Sequence, residues 1–253
     1  MKSYAVMLLL LLVAGCTSSG GKGADSQQPT VDTKASARIH TELAAVYYGQ
    51  LQYGLALDEL KYALSMDSSY APAYGVRGLV YMSLLEDKKA EEDFERSLDL
   101  DGSDSGTRNN YGWFLCQRGR EKESMAQFME AIKNPLYATP EKAYLNAGIC
   151  AKKFGKISEA EIYLRKAITL QPRMTEALLG MAELSFSKAD YAGAKSYFLR
   201  LSRLGADLSA GDLLLAARVE RKLGDRNAEA SYKLQLRKRF PDSRETQLIS
   251  SGE

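Results

Sequence analysis

The sequence predicts an all-α fold, a right-handed superhelix of six stacked helical hairpins, and three observations predict it. Small residues recur at Ala56, Ala90, Ser124, Ala160, Ala194 and Ala228, at intervals of 34, 34, 36, 34 and 34. Four residues after each stands a large side chain: Leu60, Phe94, Phe128, Leu164, Phe198 and Tyr232. Twelve residues before each small residue stands another, Ala44, Gly78, Gly112, Gly148, Ala182 and Ala216. A spacing of four places two side chains on one helix face. A fixed period of this length marks two-helix units, none of which can bury its apolar face without a neighbour.

The pattern resembles the tetratricopeptide repeat, whose signature runs W-x2-L-G-x2-Y, then A-x3-F, then P. It assigns six units to residues 37–70, 71–104, 105–140, 141–174, 175–208 and 209–242, together 36–242, each with a helix A and a helix B. A chain of 253 residues that is 45% hydrophobic and 26% charged can bury a core of that size. A net charge of +2 gives no electrostatic reason to expect nucleic acid as a partner.

Taken in chain order, residues 1–15 read as a signal peptide, with Lys2 before the apolar run "AVMLLLLLV". That run is too short to span a bilayer as a mature helix. "VAGC" ends it, and the sequence resembles the lipobox of bacterial lipoproteins, in which the cysteine is acylated and becomes the mature first residue. Cys16 is therefore the expected lipid anchor. Thr17 stands where an inner-membrane retention signal would place Asp, so the resemblance implies the periplasmic face of the outer membrane. Residues 16–35, beginning "CTSSGGKGADSQQPT", carry Ser, Gly, Asp and Gln without periodicity and read as a flexible tether. "GGKG" lacks the full spacing of a phosphate loop.

Within the units, Gly78, Gly112 and Gly148 fall where helix A crosses helix B closely, and Ala56, Ala90, Ala160 and Ala194 fall on the facing helix. The third unit is two residues longer, and the extra length falls in "NPLYATPE", where Pro135 and Pro140 interrupt helix. Residues 243–253 read as a C-terminal tail.

A second stripe on each helix A, at unit positions two, five, nine and twelve, points away from the A–B contact, and in this repeat family it lines a concave groove. It holds Tyr48, Leu79, Met82, Trp113, Leu145, Ile149, Leu179 and Phe186, with polar residues Asn109, Lys152 and Glu183 among them. Apolar surface of this extent marks a docking site, and tryptophan is prominent among binding hot spots. The eight apolar residues form the candidate partner-binding groove; the bland alternative is that some of them fill gaps between helices.

No catalytic constellation assembles. His40 is the only histidine and has no serine or cysteine partner in a recognisable motif. "DLDGSDSGTRNN" lacks the glycine and glutamate of a calcium loop and reads as a turn. Cys116 and Cys150 lie on neighbouring A helices. They could bridge in an oxidising compartment, or stand as buried thiols, the commoner role in a helix interior; two cysteines without a nearby histidine make no closed zinc site. The basic run "KLQLRKRF" suits the end of a helix. Thr41 and Ala45 occupy the stripe positions where chaperone-binding relatives carry a carboxylate clamp, which argues against that ligand.

"NNYGWFLC" at 109, "NPLYATPEKAYLNAGIC" at 134 and "ASYKLQLRKRFPDS" at 230 resemble the type IV pilus biogenesis and stability lipoproteins, the PilF/PilW pilotin family, over essentially the whole chain. The resemblance implies a non-enzymatic scaffold without cofactor or small-molecule substrate, which binds the pilus secretin and supports its outer-membrane localisation and multimer assembly. A monomer is expected, with the oligomeric state open. The alternative is a periplasmic adaptor lipoprotein for cell-wall hydrolases or β-barrel assembly.

Overall fold

The computed structural model describes residues 32–251. Among them are thirteen α-helices: α1 Thr33–Gly49, α2 Tyr53–Met66, α3 Ala71–Ser83, α4 Asp87–Leu100, α5 Ser105–Gln117, α6 Glu121–Lys133, α7 Pro140–Lys153, α8 Ile157–Leu170, α9 Thr175–Ser187, α10 Tyr191–Arg203, α11 Ala210–Leu223, α12 Arg226–Arg239 and α13 Arg244–Ser250. No strand occurs among the described residues.

Consecutive helices pair as hairpins, α1 with α2 through to α11 with α12. The small residues at 56, 90, 124, 160 and 194 are fully buried, and so, four residues later, are Leu60, Phe94, Phe128, Leu164 and, all but a trace, Phe198. The glycines opposite them are the contact points. A Cβ added at Gly78 would lie 2.9 Å from the Phe94 ring, one at Gly112 2.8 Å from the Phe128 ring, and one at Gly148 2.7 Å from Leu164 Cγ. At these separations the large side chain or the helix would have to move.

The odd-numbered helices also touch each other in series, α1 on α3, α3 on α5, α5 on α7, α7 on α9 and α9 on α11, whereas no such contact joins successive even-numbered helices. One layer is therefore drawn together and the other splayed, and the stack curves with the odd helices on its inner side.

Local chemistry sets the helix ends. The Asp104 carboxylate accepts from the backbone N–H groups of Gly106 and Thr107 at 2.8 and 3.1 Å and caps α5. Asp101 accepts from the Ser103 backbone at 2.9 Å and from its hydroxyl at 2.7 Å. Two of the three carboxylates of the apparent calcium loop, Asp101 and Asp104, are thus committed to a turn and a cap. A capping box of Ser209 and Asp212 starts α11, and prolines stand in the first turns of α3 and α7.

Two boundaries differ from the sequence reading. The first helix begins at Thr33, inside the stretch assigned to the tether, because "TKASA" has good helix formers and Ala37 is already buried. The supposed tail over 243–253 contains α13. Ser243 caps it, accepting from the Thr246 N–H at 3.1 Å, and Ile249 is buried where α13 packs on α11 and α12. The end of the stack is thereby covered by α13, rather than by a polar face of α12 alone. Arg239, in the basic run, donates to the Leu208 carbonyl at 2.9 Å and pairs with Asp207, so part of that run ties α12 to the loop before α11.

The turns from helix A to helix B repeat one backbone device. A residue in the left-handed region ends each A helix from α1 to α11: Leu51, Leu85, Gly119, Gly155, Ala189 and Gly224. In the first, the Gln52 N–H reaches back to the Tyr47 carbonyl at 2.9 Å, and in the second the Glu86 N–H reaches Tyr81 at the same distance, the geometry in which glycine is preferred. Leu85→Gly is accordingly expected to stabilise the fold. Removing a left-handed Cβ relieves about 1–2 kcal/mol, and the extra freedom of glycine in the unfolded chain returns about 0.4–1 kcal/mol of it. A higher urea midpoint at unchanged slope is the expected reading.

Candidate protein-docking groove

All eight apolar residues of the predicted stripe lie on odd-numbered helices, and all eight are half-buried. Tyr48 is on α1, Leu79 and Met82 on α3, Trp113 on α5, Leu145 and Ile149 on α7, Leu179 and Phe186 on α9. Each but Ile149 packs by one side on a buried cluster. Tyr48 rests on the cluster that holds Leu60, Leu79 and Met82 on that of Phe94 and Phe114, Trp113 on that of Phe128 and Cys150, Leu145 on that of Leu164, and Leu179 and Phe186 on that of Phe198. A side chain held by the core on one side and open on the other presents apolar area with little freedom left to lose, which favours binding.

The rest of the stripe divides differently. Thr41, Asn109, Cys116, Leu213, Ala217 and Glu220 are buried and unavailable to a ligand. The Thr41 hydroxyl donates to the Ala37 carbonyl at 2.8 Å, so this position carries a satisfied helix residue rather than a ligand-binding one.

Polar links tie the inner helices together. The Ser83 hydroxyl donates to the Tyr48 hydroxyl at 3.3 Å, joining α3 to α1. Asn146 Nδ2 donates to Asn109 Oδ1 at 3.0 Å, joining α7 to α5. Lys153 Nζ donates to the carbonyls of Cys116 and Gln117 at 3.0 and 3.2 Å, and Lys152 pairs with Glu183 across α7 and α9. Lys152 and Glu183 were on the sequence stripe, but nothing in the sequence indicated that they pair. Asn146 lies outside the stripe, and only the helix crossing brings it to Asn109.

Of the two alternatives for the cysteines, the structure has the bridge. Cys116 and Cys150 are joined across α5 and α7 with Cα atoms 5.9 Å apart, and both are fully buried. They occupy positions twelve and ten of their units, an offset created by the longer third unit.

Several charged groups elsewhere on the stack are occupied structurally. Arg77 clasps Asp93 through two bonds of 2.7 Å, and that pairing holds the guanidinium above its ordinary value. Tyr111 donates to Glu91 and Glu95 at 3.1 Å each; burial first, then the two carboxylates, push its phenol well up from the ordinary range. His40 Nδ1 meets Glu59 Oε2 at 2.6 Å and its ring packs on Tyr62. Among the described residues no group of three or more His, Cys, Asp and Glu is placed to hold a metal ion. A cleft of about 480 Å3 beside Ser105, Arg108, Asn134 and Leu136 includes none of the eight stripe residues.

An α-solenoid whose inner helices carry a row of anchored, half-open apolar side chains is a tetratricopeptide-repeat scaffold. The tetratricopeptide repeat model matches residues 71–104 and 141–174. The type IV pilus assembly protein PilF of Pseudomonas aeruginosa is 29% identical over 97% of this chain and 96% of its own. The solved structure of PilW, a widely conserved type IV pilus biogenesis factor, is 36% identical, superposes with a TM-score of 0.77, and is matched over 84% of this chain and 97% of its own. That of P. aeruginosa PilF gives 28% identity and a TM-score of 0.79, over 87% of this chain and 99% of the other. The chain belongs to the PilF/PilW family of type IV pilus biogenesis factors.

Cys16 lies outside the described residues. No helix among the described residues is long and apolar enough to cross a membrane.

Proposed function

We propose that this protein is an outer-membrane lipoprotein, anchored on the periplasmic face through Cys16, that binds the pilus secretin in its inner groove and supports the localisation and multimer assembly of that channel. The carrying observation is the row of eight half-buried apolar side chains on the inner layer of a chain that matches pilus biogenesis factors over almost its whole length. A rigid concave scaffold suits capture of an extended or helical segment of another polypeptide, and no chemistry on the partner is required. The signal-like start and the cysteine after "VAG" support the anchor.

The test is a deletion strain complemented with wild type, Cys16→Ser and Trp113→Ala. Deletion is expected to remove the heat-stable secretin multimer and twitching together. Cys16→Ser should leave multimers scarce or misplaced. Trp113→Ala is expected to weaken binding of the purified secretin by roughly fivefold or more, as for an interface truncation above about 1 kcal/mol, with helicity by circular dichroism unchanged. Normal secretin assembly in the deletion strain would reject the secretin reading. Unaltered binding by folded Trp113→Ala would reject only the placement of the hot spot.

A further inference from the structure

The turns that join helix A to helix B line one edge of the stack, and in the first two hairpins that edge carries leucines the fold does not explain. Leu51 and Leu85 have φ of 60° and 61°, a conformation that disfavours a side chain, yet they are 71% and 77% exposed, and Leu84 beside them is 42% exposed. The equivalent turns at Gly119, Gly155 and Gly224 use glycine. Leucine at Leu51 and Leu85 adds strain and gains almost no burial within the chain.

The same edge differs in charge from its opposite. In the windows around the four later A-to-B turns, residues 116–123, 152–159, 186–193 and 221–228, the sequence has ten Lys and Arg against five Asp and Glu. Around the B-to-A turns, residues 66–73, 100–107, 133–140, 170–177 and 203–210, it has three against five. Of the ten, Arg118, Arg120, Lys152, Lys156, Lys188 and Arg221 are held in ion pairs, whereas Lys122, Lys222 and Arg226, all exposed on the first edge, have no ion-pair partner among the described residues. Protruding leucines at one end of an edge and cations along the remainder match a surface with an apolar interior and anionic headgroups.

We infer that the A-to-B edge rests on the lipid bilayer, with Leu51, Leu84 and Leu85 entering the acyl region and the basic later turns meeting anionic headgroups. The inference rests on the Cys16 anchor proposed above. The chain length permits it: the sixteen residues from Thr17 to Asp32 can span at most roughly 55 Å, whereas α1, at 17 residues, sets the two edges only about 25 Å apart.

The test uses the processed, lipidated protein in vesicles of phosphatidylethanolamine and phosphatidylglycerol that contain lipids brominated along the acyl chains. In a Trp113→Phe background, a single tryptophan is introduced by Leu85→Trp, by Leu84→Trp, which lies at an ordinary backbone angle, or by Leu136→Trp on the opposite edge, where Leu136 is 88% exposed. The expected result is strong quenching and a blue-shifted emission at positions 84 and 85, little at 136, and a decrease at 84 and 85 when phosphatidylglycerol is omitted. Vesicle-bound protein with equal or absent quenching at all three positions, or with greater quenching at 136, overturns the edge assignment and leaves the anchor standing, as it would if the leucines served a protein partner. Protein that fails to float with the vesicles rejects the anchor and this inference together.

Discussion

Replacing Cys116 and Cys150 together by alanine is expected to lower stability by about 2–4 kcal/mol. The bridge closes a loop between cysteines 34 positions apart, and in the chain-entropy account a loop of that size restricts the unfolded ensemble by an amount near the top of that range. Both sulfurs are fully buried, and the Ser124 hydroxyl lies 3.3 Å from Cys150 Sγ. Two alanines therefore leave a small void and an unmatched hydroxyl as well. Because each unit of a solenoid contacts only its neighbours, the loss should be local. Hydrogen exchange is expected to rise most in α5, α6 and α7 and least in α1 and α11. A urea midpoint equal to that of the oxidised wild type would show that the bridge contributes nothing.

Phe128→Ala is expected to cost about 3–5 kcal/mol, the usual range for deleting a buried phenylalanine. Its ring is fully buried against Gly112, and Ser124 O lies 3.2 Å from where a Cβ on that glycine would stand. Gly112→Ala alone should also destabilise, because the ring at 2.8 Å must retreat. Combined with Phe128→Ala, the same methyl enters the space the ring has left. The double variant is therefore expected to be less destabilised than the sum of the singles, a coupling of about 0.5–3 kcal/mol for residues in contact. Simple additivity in thermal or urea unfolding would show that Gly112 is not selected by the Phe128 ring.

The hairpins were legible because the repeat restates one packing rule six times, so Gly78, Gly112 and Gly148 identify one another as crossing points. The row from Tyr48 to Phe186 was legible for the same reason: helical geometry fixes which side of helix A a position faces once the packed side is known. Burial within that stripe was not. Thr41, Asn109 and Glu220 sit at stripe positions yet are covered, because cover depends on how closely successive A helices approach, and that distance is not written in the spacing of any one helix. The cysteine bridge required a Cα separation that sequence cannot supply. Seven residues of α13 carry too few turns for a helical period to emerge. Leu51 and Leu85 escaped notice as turn residues because glycine is the expected sign of a left-handed turn.

The two layers of the stack answer bending in opposite ways. Narrowing the groove presses inner helices that already touch, and widening it pulls on the contacts between them, whereas successive outer helices do not approach one another closely and are linked by ion pairs near their starts, such as Glu121 with Lys156. Between α5 and α7 the sulfur staple and the asparagine pair resist widening, as do the Ser83–Tyr48 bond between α1 and α3 and the lysine–glutamate clasp between α7 and α9. The segment from α5 to α7 is thus the stiffest gauge in the stack, and compliance increases toward α9 and α11, where the inner helices touch least. A polypeptide docked along this layer, in the reading proposed above, would meet a fixed width beside Trp113 and find its adjustable fit beyond Phe186.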